Sequence, residues 1–409
     1  MSQQEDNGIS RRDFVGISGR FGLTSTLLAA SGLGATLGAS SLARAAEKEE
    51  KRRRRTTPKH VLRFAASGCN ERHQNIQNSS QLFFTRDLEA RSNGAIRVDF
   101  VDSNEACNEH DGVSRIQQGS VDIFSGSTQN SAIGAPYYNV LDFAYMFPSR
   151  ASMFHFFYDP RSEKLLREPL RRCHDIQFLF THCDLRGLML GLKWAGKPLV
   201  ASLEDLSGTR NRVAGSQLGR ITMRELNLNP VPVAWEKTLD GLRQGLFDGA
   251  EAWMAAVAHA GMAPVVSQAV DLRFFAGTEH TAMSLPVFDT LGSDLQDQVM
   301  ESAYTAQIFT HGMNEAAQTQ VVGAFENPPS STVFGKHNVR VAPLSDEIRR
   351  QAAQMCAPEF NPAPWEQWRE RLNGWAGGID VYQEIHGIAR EIPADMAAVD
   401  VEPNRWWHS

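Results

Sequence analysis

Past residue 45 the chain holds no apolar run long enough to cross a bilayer, which takes about 20 residues. Positive charge is not in excess: 41 Lys and Arg stand against 47 Asp and Glu, a net charge of −6. That balance excludes the basic surface of a nucleic-acid-binding protein. Catalytic signatures are missing too. There is no G-x-S-x-G elbow, Walker loop or H-E-x-x-H after the first 45 residues, and the acids and histidines form no triad or carboxylate pair. No enzyme and no cofactor is expected. Cysteine is scarce, at 69, 107, 173, 183 and 356, and an odd count leaves at least one outside any pair within the chain.

What is present begins with Ser10-Arg11-Arg12-Asp13-Phe14, the form of a twin-arginine export signal. A weakly apolar stretch over 21–42, diluted by Gly, Ser and Thr, follows it. Ala43-Arg44-Ala45 fits a cleavage site. Residues 1–45 read as a signal that exports the protein to the periplasm. The run Lys51-Arg52-Arg53-Arg54-Arg55 falls in a segment, 46–59, that reads as a solvated basic linker. What remains is too long for one core and calls for two domains.

The body alternates strands with helices. Ile96–Val101 is a strand after the turn Ser92-Asn93-Gly94; a helix over 109–118 stops at Gly119, and Val121–Ser125 is the next strand. The pattern recurs with a strand at Val231–Trp235, a helix over 236–244, Gly245, and a strand from Phe247. Both helices exit through Q-G-x-x-D, as Gln118-Gly119-Ser120-Val121-Asp122 and Gln244-Gly245-Leu246-Phe247-Asp248. Two such β-α-β units predict two similar α/β domains. Ligands of parallel sheets sit outside the carboxyl ends of the strands, so a cleft between the two is the place for a site. A helix from Asp294 to Gln320, opened by a Ser293/Gln296 capping box, would be about 40 Å long and run along both domains. Trp365, Trp368, Leu372 and Trp375 recur at helical spacing and read as a core-facing stripe.

One constellation carries chemistry of its own. Cys69 and His73 follow the first strand; Cys107 and His110 follow the second. Three arrangements fit: a Cys69–Cys107 disulfide, two unlinked thiols, or a Cys₂His₂ metal site of an exported metal-binding protein or metalloenzyme. Cys173 and Cys183 flank a strand and offer another pairing.

Several stretches, in order, then resemble one family. They are Leu62-Arg63-Phe64-Ala65, Leu141-Asp142-Phe143-Ala144-Tyr145-Met146-Phe147, Ser202-Leu203-Glu204-Asp205-Leu206-Ser207-Gly208, Arg212-Val213, and Gly241-Leu242-Arg243-Gln244-Gly245-Leu246-Phe247-Asp248-Gly249-Ala250-Glu251. The resemblance covers most of residues 60–350 and is to the solute-binding proteins of tripartite ATP-independent periplasmic (TRAP) transporters. It implies a two-domain α/β clamshell of the periplasmic-binding-protein kind, with mixed or parallel sheets, helices on both faces and a long spine helix. Residues 60–184 with about 274–315 would make one domain. Residues 185–273 with about 316–409, including the C-terminal helices, would make the other. Such a protein, as monomer or homodimer, catches a small organic acid and hands it to membrane permease subunits.

The resemblance places a carboxylate-binding arginine at Arg212 and a second cation at Arg186 or Lys193. A guanidinium offers a carboxylate two parallel charge-assisted hydrogen bonds, which a lysine cannot copy. Family members often carry Asn or Trp directly after Glu251; here Ala252 stands there, followed by Trp253, so the polar partner is either lost or supplied by Trp253. Trp235 offers a flat wall. Gln129, Glu71, His73 and Phe147 are cleft candidates by location.

Overall fold

A computed structural model describes residues 40–69 and 79–408. The twin-arginine segment, Glu71 and His73 lie outside the described residues.

The chain builds two sheets. The first runs Ile96–Val101, His60–Ala66, Ile123–Ser127, Glu279–Ser284, Ile176–Thr181. Its first three strands are parallel, and Glu279–Ser284 is antiparallel to both neighbours. The second runs Arg340–Ala342, Val266–Val270, Gly187–Gly191, Gly249–Ala252, Arg210–Val213, Asn229–Pro232. Gly187–Gly191 is antiparallel to the strands on either side of it; the outer pairs are parallel. A short antiparallel ribbon, Asp184–Leu185 with Ala276–Gly277, carries the chain from one sheet to the other and back. With helices packed on both sheets, the result is a two-domain clamshell of mixed α/β structure.

Local chemistry explains where elements sit. Pro230 and Pro232 cannot donate to a ladder, so the expected strand 231–235 is a short edge strand, Asn229–Pro232, and Trp235–Lys237 winds into a 3₁₀ turn. The strand expected from Phe247 begins at Gly249. Gly119 and Gly245 both take positive φ, 72° and 69°, directly after their helices. The long helix spans Ser293–Ala317 and runs on as a π turn, Gln318–Val322, to Gly323. Its expected capping box is absent. Gly292 is the cap, Ser293 is already helical, and Gln296 donates to the Phe288 carbonyl at 3.0 Å. The helix covers the edge strand Ile176–Thr181, which is buried at all six positions. Gln307 satisfies that edge by accepting from the Thr181 N–H and donating to its carbonyl, both at 2.8 Å.

Two expectations about chain segments need correction. The basic run is solvated except at Arg53 but is no linker: it ends a helix, Ser40–Arg55, in which Glu47 pairs with Lys51 at 2.6 Å, Glu50 with Arg54 at 2.8 Å, and Arg53 is buried. Acid-before-base pairs at i, i+4 and cations in the last turn favour this helix. The C-terminal helices do not stay with the second lobe. Asp346–Cys356 packs on Gln217–Glu225, but Val381–Ile388 packs on Arg150–Tyr158 of the first lobe. Trp365, fully buried, lies 5.6 Å from Phe143, while Trp368 and Trp375 are only partly buried.

Among the described residues no disulfide forms. Cys69 and Cys107 are buried and unlinked, and burial pushes both thiols up to about 12. Cys173 lies at the surface and Cys183 in the core, so they do not pair either. Native protein should therefore show one fast-reacting thiol, Cys173, and all five should react after unfolding without reductant. Fewer than five would reveal a bridge.

The strand that leaves Arg186 depends on a glycine. A Cβ at Gly187 would sit 2.1 Å from the Val270 carbonyl oxygen. Gly187→Ala should cost at least about 2 kcal/mol in urea unfolding, in the range of overpacked cores.

Candidate functional site

Between the lobes lies a cavity of about 260 Å³. Arg186, Arg212, Trp235 and Trp253 line it from the second lobe; Glu109 and Glu279 line it from the first. The lobes touch around it. Asn130 Oδ1 accepts from the Gly215 N–H at 3.2 Å, Asn139 Oδ1 from the Gln217 N–H at 2.9 Å, and Arg186 Nη2 donates to Gln129 Oε1 at 2.7 Å.

Strand register brings the charged groups together. Leu188 pairs with Glu251 and Arg212 with Ala250, so Glu251 sits on the strand between the one that carries Arg212 and the one that leads out of Arg186. Its carboxylate bridges them. Oε2 accepts from Arg186 Nη1; Oε1 accepts from Arg212 Nη1 at 3.3 Å and from the Ala214 N–H at 2.6 Å. Arg212 Nε donates to the Val233 carbonyl at 2.9 Å. All three side chains are at most 3 % exposed. Indoles hold the guanidiniums in place: Arg186 lies over Trp253 at 4.7 Å and Arg212 over Trp235 at 5.4 Å. Two donors are left over, Arg186 Nε and Arg212 Nη2, and neither has a protein partner. Burial away from water pushes Arg212 down to about 10, against the pull of Glu251. Trp253 Nε1, also buried, is a third unpartnered donor.

Gln129 and Glu251 stand behind the cavity wall and orient the arginines. Gln129 is itself fixed by donating to the Ala276 carbonyl at 3.0 Å and to Asp142, a buried acid pushed up to about 7 by desolvation. Lys193 lies outside the cavity, exposed and 3.4 Å from Asp248. Phe147 belongs to the first lobe's core, 5.8 Å from Phe156. Cys69, Cys107 and His110 bring no ligand atoms together; among the described residues the one such group is His155, Asp159 and Glu391, which is bound by Arg161. The Cys/His constellation therefore does not build a metal centre from its described members.

The sequence reading missed Glu109, Asn130, Glu279 and His259. Glu109 was in view, inside Cys107-Asn108-Glu109-His110, but its neighbours drew the chemistry. In the structure it is the acid that turns inward: Oε2 accepts from the Ser127 N–H at 2.9 Å and from Asn130 Nδ2 at 3.2 Å. Burial pushes His259 down to about 4, so its imidazole is neutral near pH 7.

Comparison with known proteins gives the same architecture. A TRAP periplasmic solute-binding protein from Desulfovibrio salexigens, with bound orotic acid, superposes with a TM-score of 0.67 at 14 % identity, covering 80 % of this chain and 99 % of that one. One from Roseobacter denitrificans, with bound L-galactonate, gives 0.63 at 18 % identity, covering 76 % and 100 %. By sequence, a solute-binding protein of Roseobacter denitrificans is 24 % identical over 59 % of this chain and 72 % of its own length. An uncharacterised Salmonella typhimurium protein, YiiZ, is 24 % identical over 41 % of this chain, which spans half of that relative. Residues 68–359 match the bacterial extracellular solute-binding protein family 7, DctP, and the chain belongs to that family.

Proposed function

We propose that the protein captures a small organic acid in the periplasm and delivers it to the membrane permease of a TRAP transporter. One observation carries the reading: two buried guanidiniums line the cavity between the lobes, share a single bridging carboxylate, and each keeps a donor nitrogen without a protein partner. A buried charge without a counter-charge is costly, so the pair favours an anion that supplies one. A carboxylate fits, since its two oxygens can accept charge-assisted hydrogen bonds from the two donors left over, Arg212 Nη2 and Arg186 Nε. Trp253 Nε1 offers a further donor where relatives place Asn or Trp one residue earlier. Trp235 and Trp253 add flat apolar walls.

The structural relatives support the class of ligand. Orotic acid and L-galactonate, like the D-glucuronate held by a relative from Citrobacter koseri, are all carboxylates. Capture proceeds by closing the lobes about the ribbon Asp184–Leu185/Ala276–Gly277, because ligand contacts to both lobes favour the closed state. No reaction is required, and the Ser10–Phe14 signal fits export by the twin-arginine route.

Arg212→Ala should weaken carboxylate binding by about 2–5 kcal/mol, the usual cost of removing one partner of a buried charge pair. Arg212→Lys should recover only part of it, because charge returns without the fork. Calorimetry measures both, with circular dichroism to show that the fold persists. Unchanged affinity in Arg212→Ala would refute the anchor.

A further inference from the structure

The cavity carries a second pole that carboxylate binding does not use. Glu279 is 9 % exposed, lines the cavity, and its Oε1 has no protein partner. It stands directly opposite Ser127 across the strand pair, and the Ser127 N–H is the one that Glu109 accepts. The register thus sets two carboxyl groups side by side on the first lobe, facing a cavity whose arginines belong to the second. Glu109 has its oxygen satisfied by Ser127 and Asn130; Glu279 has not.

Charge agrees with this placement. Desolvation pushes Glu279 up to about 8, and Glu109 adds to the rise; among the described residues no guanidinium relieves it. Among the described residues, the Cys69 thiol, which Glu279 raises in turn, and the His259 imidazole are further ionisable groups near it. Arg186 and Arg212 are already faced by Glu251, and Arg212 also feels Glu109 and Glu236. A second carboxylate on the ligand would meet two acids there. A hydroxyl or ammonium would meet acceptors.

We propose that Glu279, beside Glu109, selects organic acids that carry a hydrogen-bond donor, hydroxyl or ammonium, at the end away from the carboxylate, and rejects dicarboxylates. The inference rests on the carboxylate reading above and deepens it. The physical cause is the orphaned buried acceptor: a donor satisfies it, a methyl leaves it bare and, once Glu279 is ionised above about pH 8, a carboxylate is repelled.

The test uses the full chain and straight-chain acids of four to six carbons ending in methyl, hydroxyl, ammonium or carboxylate. Calorimetry at about pH 9, where Glu279 is ionised, should show the hydroxyl and ammonium members binding about ten- to a hundredfold more tightly than the other two, the range of a hydrogen bond to an ionisable group. Glu279→Ala removes a buried acid, so the fold survives it. It should shrink that preference to within about threefold, while Glu279→Gln keeps hydroxyl binding and loses the ammonium preference. At pH 7, the ammonium member should release close to one proton as Glu279 ionises against it, read from two buffers of different ionisation enthalpy. Its affinity should rise toward pH 8 and level off above; the hydroxyl member should release none. Dicarboxylates bound as tightly as donor-bearing acids, or a preference that survives Glu279→Ala, would overturn this inference and leave the carboxylate reading standing. If no acid binds, or Arg212→Ala binds them all normally, the carboxylate reading fails and this inference falls with it.

Discussion

Glu251 places one negative charge between two buried guanidiniums, and much of the second lobe is arranged so that it can. The carboxylate sits on a strand flanked by those that carry Arg212 and lead out of Arg186, so register alone brings the three side chains together. Removing ions from water costs several kcal/mol each even after relaxation. The lobe offsets that cost with the Ala214 N–H, the Val233 carbonyl and two indole faces. It does not offset all of it. Two positive charges against one negative leaves the site short of an anion. On the proposed reading, that shortage within the triad makes the cleft a receptor rather than an interior salt bridge.

The same residues tie binding to closure. Arg186 stands at the exit of the ribbon that joins the lobes, and its Nη2 reaches Gln129 of the first lobe. Gln129 leans on Asp142, and Asn139 accepts the first N–H of the helix Gln217–Glu225 across the divide. Anion binding on one lobe and lobe contact on the other therefore share groups. A ligand that neutralises the arginines also fixes the position that Gln129 must meet. Domain closure needs such differential contacts, and here they run through one side chain.

Much of this was legible in the chain. The paired Q-G-x-x-D exits located two helices and their left-handed glycines, because glycine adopts positive φ without strain. Arg212, Arg186 and Glu251 could be picked out by resemblance. Lys193 does not line the cavity: two residues past the end of the strand Gly187–Gly191, it faces solvent and Asp248. Phe147 was misread because a buried aromatic in a core and one in a cleft look alike in sequence. The basic run misled by its density of charge, although Glu47 before Lys51 and Glu50 before Arg54 already spell a helix. Glu279 carried no signal at all. An acid in Thr278-Glu279-His280-Thr281 reads as the polar face of a strand, whereas the strand is internal to its sheet and buried at every position.

The account stands or falls on a negative charge completing the arginine pair. The direct measurement is thermal unfolding of the protein with a set of small organic acids and the primary amide of each. At a concentration about 1,000 times its dissociation constant, a bound acid should add about 4 kcal/mol to the native state. The matching amide, alike in shape but uncharged, should add little. An amide that stabilises as well as its acid would contradict the account, and would mean that the cleft reads shape while Arg186 and Arg212 serve only the fold.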